Sequence, residues 1–160
     1  MSQKLNCIMI IDDDEPTNFL SNMIIEEAQC THHIQIEDGG KKAINYLANS
    51  IKFTHTNNEY PWPDLIFLDI NMPAMNGWEF LLKYNRLEKQ HMGKVIMVML
   101  TTSLDPDDEI KSKNTAGVTD FKHKPLTEQM VEEILQKYFP DCFRTPADAN
   151  KSGSTKKSTG

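Results

Sequence analysis

The segment Leu65-Ile66-Phe67-Leu68-Asp69-Ile70-Asn71-Met72-Pro73 decides how this chain of 160 residues folds. Four apolar residues in a row, 65–68, are typical of a strand that is buried on both of its faces. The run ends on Asp69, and a carboxylate at the end of a buried strand is costly to desolvate unless it has a partner. The segment therefore predicts a central strand that brings an acidic side chain to one edge of a sheet.

Four further stretches of strand length lie on either side of this segment, and helical patterns separate them. The strands are predicted at residues 6–11, 33–37, 95–100 and 120–123. In the first intervening helix Phe19, Leu20, Met23 and Ile24 share one helical face. The resulting order βαβαβαβαβα predicts an α/β domain, with a five-stranded parallel sheet between two layers of helices.

Composition narrows the classes of function. The formal net charge of −6 argues against direct nucleic-acid binding, which needs a basic surface. The longest apolar run, 95–100, is far too short to span a bilayer, and the N-terminus lacks the pattern of a signal peptide. Three cysteines without a CxxC motif are expected of a reduced, cytoplasmic protein. Residues 1–140 are predicted to form one domain, and residues 141–160 a disordered polar tail.

Polar side chains gather at the carboxyl ends of the predicted strands, where open parallel sheets bind their ligands. They are Asp12, Asp13 and Asp14 after the first strand, Asp69 on the third, Thr101-Thr102-Ser103 after the fourth and Lys124-Pro125 after the fifth. Neighbouring carboxylates resist ionising together. A hard cation such as Mg²⁺ relieves this repulsion and completes its shell with water and phosphate oxygens. The pattern predicts a site for Mg²⁺ and a phosphoryl group.

Each of these residues also has a simpler structural interpretation. Asp14, two residues before Pro16, can cap the first helix, and the same role is open to Asp12 or Asp13 taken alone. Lys124-Pro125 is a common way to end a strand. The joint occurrence of these residue types at four strand ends favours a binding site over four unrelated structural roles.

Four segments together resemble the signature segments of response-regulator receiver domains. They are Ile10-Ile11-Asp12-Asp13-Asp14, residues 65–73 with Asn76-Gly77, Met99-Leu100-Thr101-Thr102-Ser103, and Asp120-Phe121-Lys122-His123-Lys124-Pro125. The resemblance covers about residues 5–139, and the pattern D-x-x-M-P-x-x-x-G, which ends on the structural position Gly77, is its most specific part. It implies a flavodoxin-like, doubly wound (βα)5 fold with strand order 2-1-3-4-5, and a stand-alone receiver of the chemotaxis-regulator type.

The resemblance also implies roles for the acidic residues. Asp69 matches the phosphoacceptor, which becomes an aspartyl phosphate. Asp12 and Asp13 match the acidic pair that binds Mg²⁺, and Asp69 and the backbone carbonyl of Asn71 are the further metal ligands that the family pattern implies.

The remaining matches concern the phosphoryl group and the response to it. Lys124 matches the lysine that pairs with the phosphoryl group, and Pro125 the proline whose preceding peptide bond is typically cis. The switch hydroxyl is Thr101, which directly follows the strand, or Thr102, which the spacing to Lys124 favours. Phe121 matches the aromatic residue that moves inward with that hydroxyl.

The implied phosphoryl donor is a sensor histidine kinase or a histidine phosphotransfer protein, and the implied output is binding of another protein rather than enzymatic action on a separate substrate. Three other classes are weaker. A Mg²⁺-dependent phosphatase or phosphotransferase with an aspartyl nucleophile usually carries a second Asp where Asn71 stands. A phosphorylation-independent interaction module is expected to lack the acidic pair or the lysine. A flavin binder needs a Ser/Thr/Gly-rich loop where residues 12–15 are acidic.

Overall fold

Strands and helices alternate along the described chain. The computed structural model of the protein describes residues 3–56 and 59–142. The strands are β1 (Ile8–Ile11), β2 (Ile34–Glu37), β3 (Leu65–Asp69), β4 (Ile96–Thr101) and β5 (Asp120–His123). The helices are α1 (Glu15–Ala28), α2 (Gly40–Lys52), α3 (Gly77–Asn85), α4 (Pro106–Lys113) and α5 (Glu128–Tyr138). Most of the predicted tail, 143–160, lies outside the described residues. Among the residues described, no helix is both long and apolar enough to cross a membrane.

The five strands form one parallel sheet in the order β2-β1-β3-β4-β5. In its centre Ile11 of β1 pairs with Leu68 of β3, and Asp69 pairs with Leu100 of β4. The flavodoxin-like order and the parallel sheet are thus confirmed. Strand order reverses between β1 and β3, and the carboxyl ends on either side of this switch point carry Asp12 and Asp69.

Each face of the sheet is covered by its own apolar cluster, because successive strand residues point to opposite faces. Ile10 and Phe67 pack in one cluster with residues of α1 and α5. Met9 and Leu68 pack in the other with residues of α2 and α3. The predicted three layers are confirmed. The central strands are buried on both faces, so the residues at their carboxyl ends are held by a well-packed core.

Side-chain caps fix where the helices around this edge begin. Asp14 accepts the backbone N–H of Thr17, and Pro16 lies in the first turn of α1, so the predicted capping role of Asp14 is confirmed. At α3, Asn76 and Glu79 form a reciprocal capping box. The hydrogen bonds from Thr17 hold the pKa of Asp14 below its usual value.

Three of the four residues on the predicted apolar face of α1 do not pack against the sheet, contrary to the usual meaning of an amphipathic pattern, whereas the fourth, Ile24, is partly buried against one of the two clusters. Phe19, Leu20 and Met23 are 65%, 57% and 45% exposed. The buried residues of α1 are Asn18, Ser21 and Ile25. Asn18 donates from Nδ2 to the backbone carbonyl of Asp12 at 2.8 Å, so the buried side of the helix includes a polar contact with the end of β1.

Candidate functional site

Three carboxylates meet at the carboxyl edge of the sheet. Asp12 and Asp13 follow β1, Asp69 ends β3, and one ligand oxygen from each lies within 4.8 Å of the others. Asp12 and Asp69 are buried, whereas Asp13 is exposed to solvent. Three carboxylate oxygens, one of them open to water, are a donor set that suits a hard, partly hydrated cation such as Mg²⁺. The structure therefore brings together the predicted acidic residues, although their binding of metal stays a prediction.

Lys124 supplies the positive charge of this cluster. Its Nζ lies 2.5 Å from Asp12 Oδ2 and 3.3 Å from Asp69 Oδ1. The lysine directly follows β5, and its backbone N–H donates to the carbonyl of Thr101 at the end of β4. The peptide bond between Lys124 and Pro125 is cis, as the resemblance implied. One ammonium group thus bridges two buried carboxylates at the ends of two different strands.

The site makes ionisation of Asp69 less favourable than that of an aspartate in water, because the pKa of Asp69 is raised. Burial raises the pKa of Asp69, and the charge of Asp12 raises it further, while Lys124 and the backbone N–H of Asn71 act in the opposite direction. Burial by itself lowers the pKa of Lys124, but hydrogen bonds and charge from Asp12 and Asp69 outweigh it and leave the pKa raised. Additional positive charge would therefore stabilise the Asp69 carboxylate.

The loop after β3 brings Gly77 close to the backbone at the end of that strand. A Cβ on Gly77 would lie 2.6 Å from the carbonyl oxygen of Asp69 and 3.0 Å from Cα of Ile70. The N–H of Gly77 donates to the carbonyl of Ile70 at 2.8 Å. Asn71 contacts the site through its backbone N–H, and a metal-binding role for its carbonyl stays a prediction. Gly77 serves the site by leaving room for the backbone that carries Asp69.

Thr101 and Thr102 lie in different environments. Thr101 is the buried last residue of β4, and its Oγ accepts the N–H of Ser103 at 3.0 Å, whereas Thr102 is exposed. Alternation along β4 puts Thr101 on the same face as Met99, and Phe121 packs against the cluster on that face. This shared face favours Thr101 as the switch hydroxyl, an assignment that remains a prediction.

Reasoning from the sequence missed one buried polar residue beside the site, Asn18. Asn18 is 6% exposed, and its side-chain amide donates a hydrogen bond to the carbonyl of Asp12. A signal for it existed in the spacing of Asn18, Ser21 and Ile25, which places two polar residues and one apolar residue on one helical face. The apolar pattern on the opposite side of α1 is the stronger signal, so the sequence alone does not single out this face.

Comparison with known proteins agrees with the fold and with the geometry of the site. The family model for the response regulator receiver domain matches residues 8–136. The crystal structure of a two-component response regulator from Cytophaga hutchinsonii is similar, with a TM-score of 0.74 and 32% identity, over 84% of this chain and 97% of that one.

Two curated relatives differ in length. Hybrid signal transduction histidine kinase C of Dictyostelium discoideum is 34% identical over 142 residues, which are 85% of this chain and 10% of the relative. The probable methanogenesis regulatory protein FilR2 of Methanothrix harundinacea (strain 6Ac) is 27% identical over 89% of this chain and 88% of its own length. This chain thus spans about a tenth of the hybrid kinase. With its fold, its acidic edge and the match of the family model, the chain belongs to the response regulator receiver domains of two-component signalling.

Proposed function

We propose that the chain accepts a phosphoryl group on Asp69 in a Mg²⁺-dependent reaction and signals through a change of conformation. The observation that carries the proposal is the contact of Lys124 with Asp69 inside a cluster of three carboxylates at the edge of the sheet. Phosphoryl transfer depends on positioning and charge neutralisation more than on covalent help from the protein, and this cluster has groups for both.

In the proposed reaction a carboxylate oxygen of Asp69 forms a bond to phosphorus while the bond from phosphorus to the leaving group of the donor breaks. Asp69 has to be ionised to attack, and the adjacent Lys124 ammonium favours that form. Lys124 is also near enough to pair with an equatorial phosphoryl oxygen. Asp12, Asp13 and Asp69 would hold Mg²⁺, with the carbonyl of Asn71 as a further ligand. When bound, the cation supplies charge that neutralises the phosphoryl oxygens.

We propose a sensor histidine kinase or a histidine phosphotransfer protein as the donor. Support comes from the similar segment within a hybrid signal transduction histidine kinase of Dictyostelium discoideum. We also propose a signalling domain rather than an enzyme for a separate substrate, because the amide of Asn71 cannot act as a general acid for a leaving group. A cytoplasmic location is consistent with the unpaired thiols of Cys7, Cys30 and Cys142.

The proposal is tested by incubating the full chain with acetyl phosphate, with Mg²⁺ or with a chelator, and measuring the intact mass. We expect one added phosphoryl group in the presence of Mg²⁺ and none with the chelator. Asp69→Asn should take up none, whereas Asp107→Asn, a change at an exposed residue of α4, should behave as the wild type. Equal labelling of Asp69→Asn and the wild type would contradict the proposal.

A further inference from the structure

A series of hydrogen bonds joins the end of β4 to the first turn of α4. The Oγ of Thr101 accepts the backbone N–H of Ser103 at 3.0 Å. The Oγ of Ser103 donates to the carboxylate of Asp108 at 2.6 Å. The same Oγ accepts the N–H of Asp105, the N-cap residue of α4, at 3.2 Å. Ser103 therefore ties the hydroxyl of Thr101 to the start of the helix.

Apolar packing contributes little to holding α4. The buried residue of this helix is Ser112, whereas Ile110 is 56% exposed and Leu104, just before the helix, is 86% exposed. A cavity of about 320 Å³ lies between α4 and β5, with Ser112 and Phe121 among its lining residues. An element with few buried apolar contacts shifts at a low cost in free energy. The hydrogen bonds of Ser103 therefore have a large share in fixing the position of α4.

The same bonds hold Thr101 in a closed position. Thr101 has no surface exposed to solvent, although its neighbours on both sides belong to the site. Asp69 pairs with the preceding residue, Leu100, and the carbonyl of Thr101 accepts the N–H of Lys124 at 2.8 Å. A phosphoryl group that arrives from solvent therefore reaches the hydroxyl of Thr101 only when the end of β4 moves. That movement changes the bond between Thr101 and Ser103.

We propose that the hydrogen bond between Ser103 and Asp108 is a latch that favours the arrangement of the protein without a phosphoryl group. While the bond is made, Ser103 stays with α4 and Thr101 stays buried. A change that breaks it shifts the equilibrium toward the arrangement in which Thr101 contacts the phosphoryl group. Because such coupling is reciprocal, a weaker latch also means tighter binding of that group. The inference rests on the proposed phosphoryl site at Asp69.

A purely structural role for this bond makes a different prediction. If Ser103 only stabilises the first turn of α4, its replacement lowers stability and leaves the affinity for a phosphoryl mimic unchanged. If the bond is a latch, the replacement raises that affinity. Ser103→Ala tests this without a change of charge. Ser103→Thr is the conservative variant, because it retains the hydroxyl.

The experiment measures binding of beryllofluoride, a mimic of the phosphoryl group, to the full chain in the presence of Mg²⁺ by titration calorimetry. Thermal melts establish which variants fold. We expect Ser103→Ala to bind beryllofluoride about fivefold more tightly than the wild type, and Ser103→Thr to bind it with wild-type affinity. Asp108→Ala should also tighten binding, with no further effect in the Ser103→Ala background. Asp107→Ala removes the same charge from an exposed neighbour and should tighten binding less.

Amide shifts give a second readout that does not depend on affinity. Without beryllofluoride, the amides of residues 104–113 in Ser103→Ala should lie part of the way along the shifts that beryllofluoride causes in the wild type. A bond that has no effect on the equilibrium between the two arrangements would leave these amides off that path.

Wild-type affinity for beryllofluoride in a folded Ser103→Ala variant would overturn the inference. Weaker binding would overturn it too, because it would show that Ser103 helps to place Thr101 at the phosphoryl group. If Ser103→Ala does not fold, Asp108→Ala and Asp107→Ala decide the matter, and equal affinities would count against the latch. If the wild type binds no beryllofluoride, the proposed phosphoryl site fails. If it binds and the latch variants match it, only the latch fails.

Discussion

The ammonium group of Lys124 lies closer to Asp12, at 2.5 Å, than to Asp69, at 3.3 Å. The lysine therefore ties the end of β5 to the end of β1 across β3 and β4, with Asp69 beside the pair. Both carboxylates are almost fully buried, so this single cation stabilises two charges that solvent barely reaches. Stability and the proposed phosphoryl transfer consequently involve the same three side chains.

Removal of the lysine should destabilise the protein strongly. Lys124→Met leaves Asp12 and Asp69 as buried carboxylates without a cation, and breaking a buried pair in this way costs on the order of 3–5 kcal/mol. We expect a loss of about 3 kcal/mol in urea unfolding, because Lys124 remains slightly exposed. Mg²⁺ should restore part of this loss, since it replaces the missing positive charge.

The matched control is Lys122→Met, which removes the neighbouring ion pair with Glu133. That pair is longer, at 3.7 Å, and both side chains are substantially exposed, so its loss should cost below about 1 kcal/mol. A similar loss of unfolding free energy in the two lysine variants would contradict the claim that Lys124 stabilises two buried carboxylates.

Asp69→Asn should raise stability near neutral pH when Mg²⁺ is removed by a chelator. Burial and the charge of Asp12 raise the pKa of Asp69, so the folded state binds its proton more tightly than the unfolded chain. The contribution of Asp69 to stability is therefore full below the unfolded pKa of about 3.9 and is lost as the pH rises through the raised folded pKa. An asparagine at position 69 does not ionise, so the variant does not lose stability in this way as the pH rises.

Thermal melts across the acidic to neutral range check this sign. The melting temperature of Asp69→Asn should exceed that of the wild type at about pH 7, and the difference should vanish below about pH 4, where Asp69 is protonated in both states. A variant less stable than the wild type at neutral pH would contradict this account. It would show that Lys124 lowers the pKa of Asp69 by more than burial and the charge of Asp12 raise it.

Gly77→Ala should weaken both stability and phosphorylation. The new Cβ would lie 2.6 Å from the carbonyl oxygen of Asp69, so the backbone that carries the proposed phosphoacceptor has to move. Overpacking of this kind costs about 1–3 kcal/mol, measurable by urea unfolding, and the displaced Asp69 should be labelled more slowly by acetyl phosphate. Gly93→Ala is the control, because its nearest neighbour lies at 4.0 Å, and it should change stability by less than about 0.5 kcal/mol.

Phe121→Ala should uncouple the phosphoryl site from the face formed by α4 and β5. Phe121 packs on the sheet face that Thr101 shares, and it lines a cavity with Glu109 and Ser112 of α4. We expect the variant to be phosphorylated on Asp69 at nearly the wild-type level. The coupling to a binding partner, about 1–3 kcal/mol for such systems, should decrease.

NMR of the wild type and variant with beryllofluoride and Mg²⁺ measures this coupling. In the wild type, shifts should extend from Asp69 to residues 105–124, and in Phe121→Ala they should remain near Asp69. Thr101→Val should reproduce the effect and Thr102→Val should not. Shifts confined to the surroundings of Asp69 in the wild type would instead indicate a passive phosphate carrier.

The sequence predicted the fold and the acidic edge well because both follow from strong local signals. Apolar runs such as residues 65–68 identify buried strands, and parallel strands necessarily end at one edge, where Asp12, Asp69 and Lys124 meet. The exposure of Phe19, Leu20 and Met23 could not be predicted, because it depends on which side of α1 the rest of the chain covers, and that side carries Asn18 with its bond to the Asp12 carbonyl. The sequence could not distinguish Thr101 from Thr102, because that distinction depends on the exact residue at which β4 ends.

Chemical trapping of the phosphorylated residue tests the central claim most directly. Borohydride reduces an aspartyl phosphate to homoserine, so the wild type is treated with acetyl phosphate and Mg²⁺, reduced and mapped by peptide mass spectrometry. We predict homoserine at position 69 alone, and none when Mg²⁺ is withheld. Homoserine at position 12 or 13, or an acid-stable phosphate on a serine or threonine with Asp69 unchanged, would contradict the assignment of Asp69 as the phosphoacceptor.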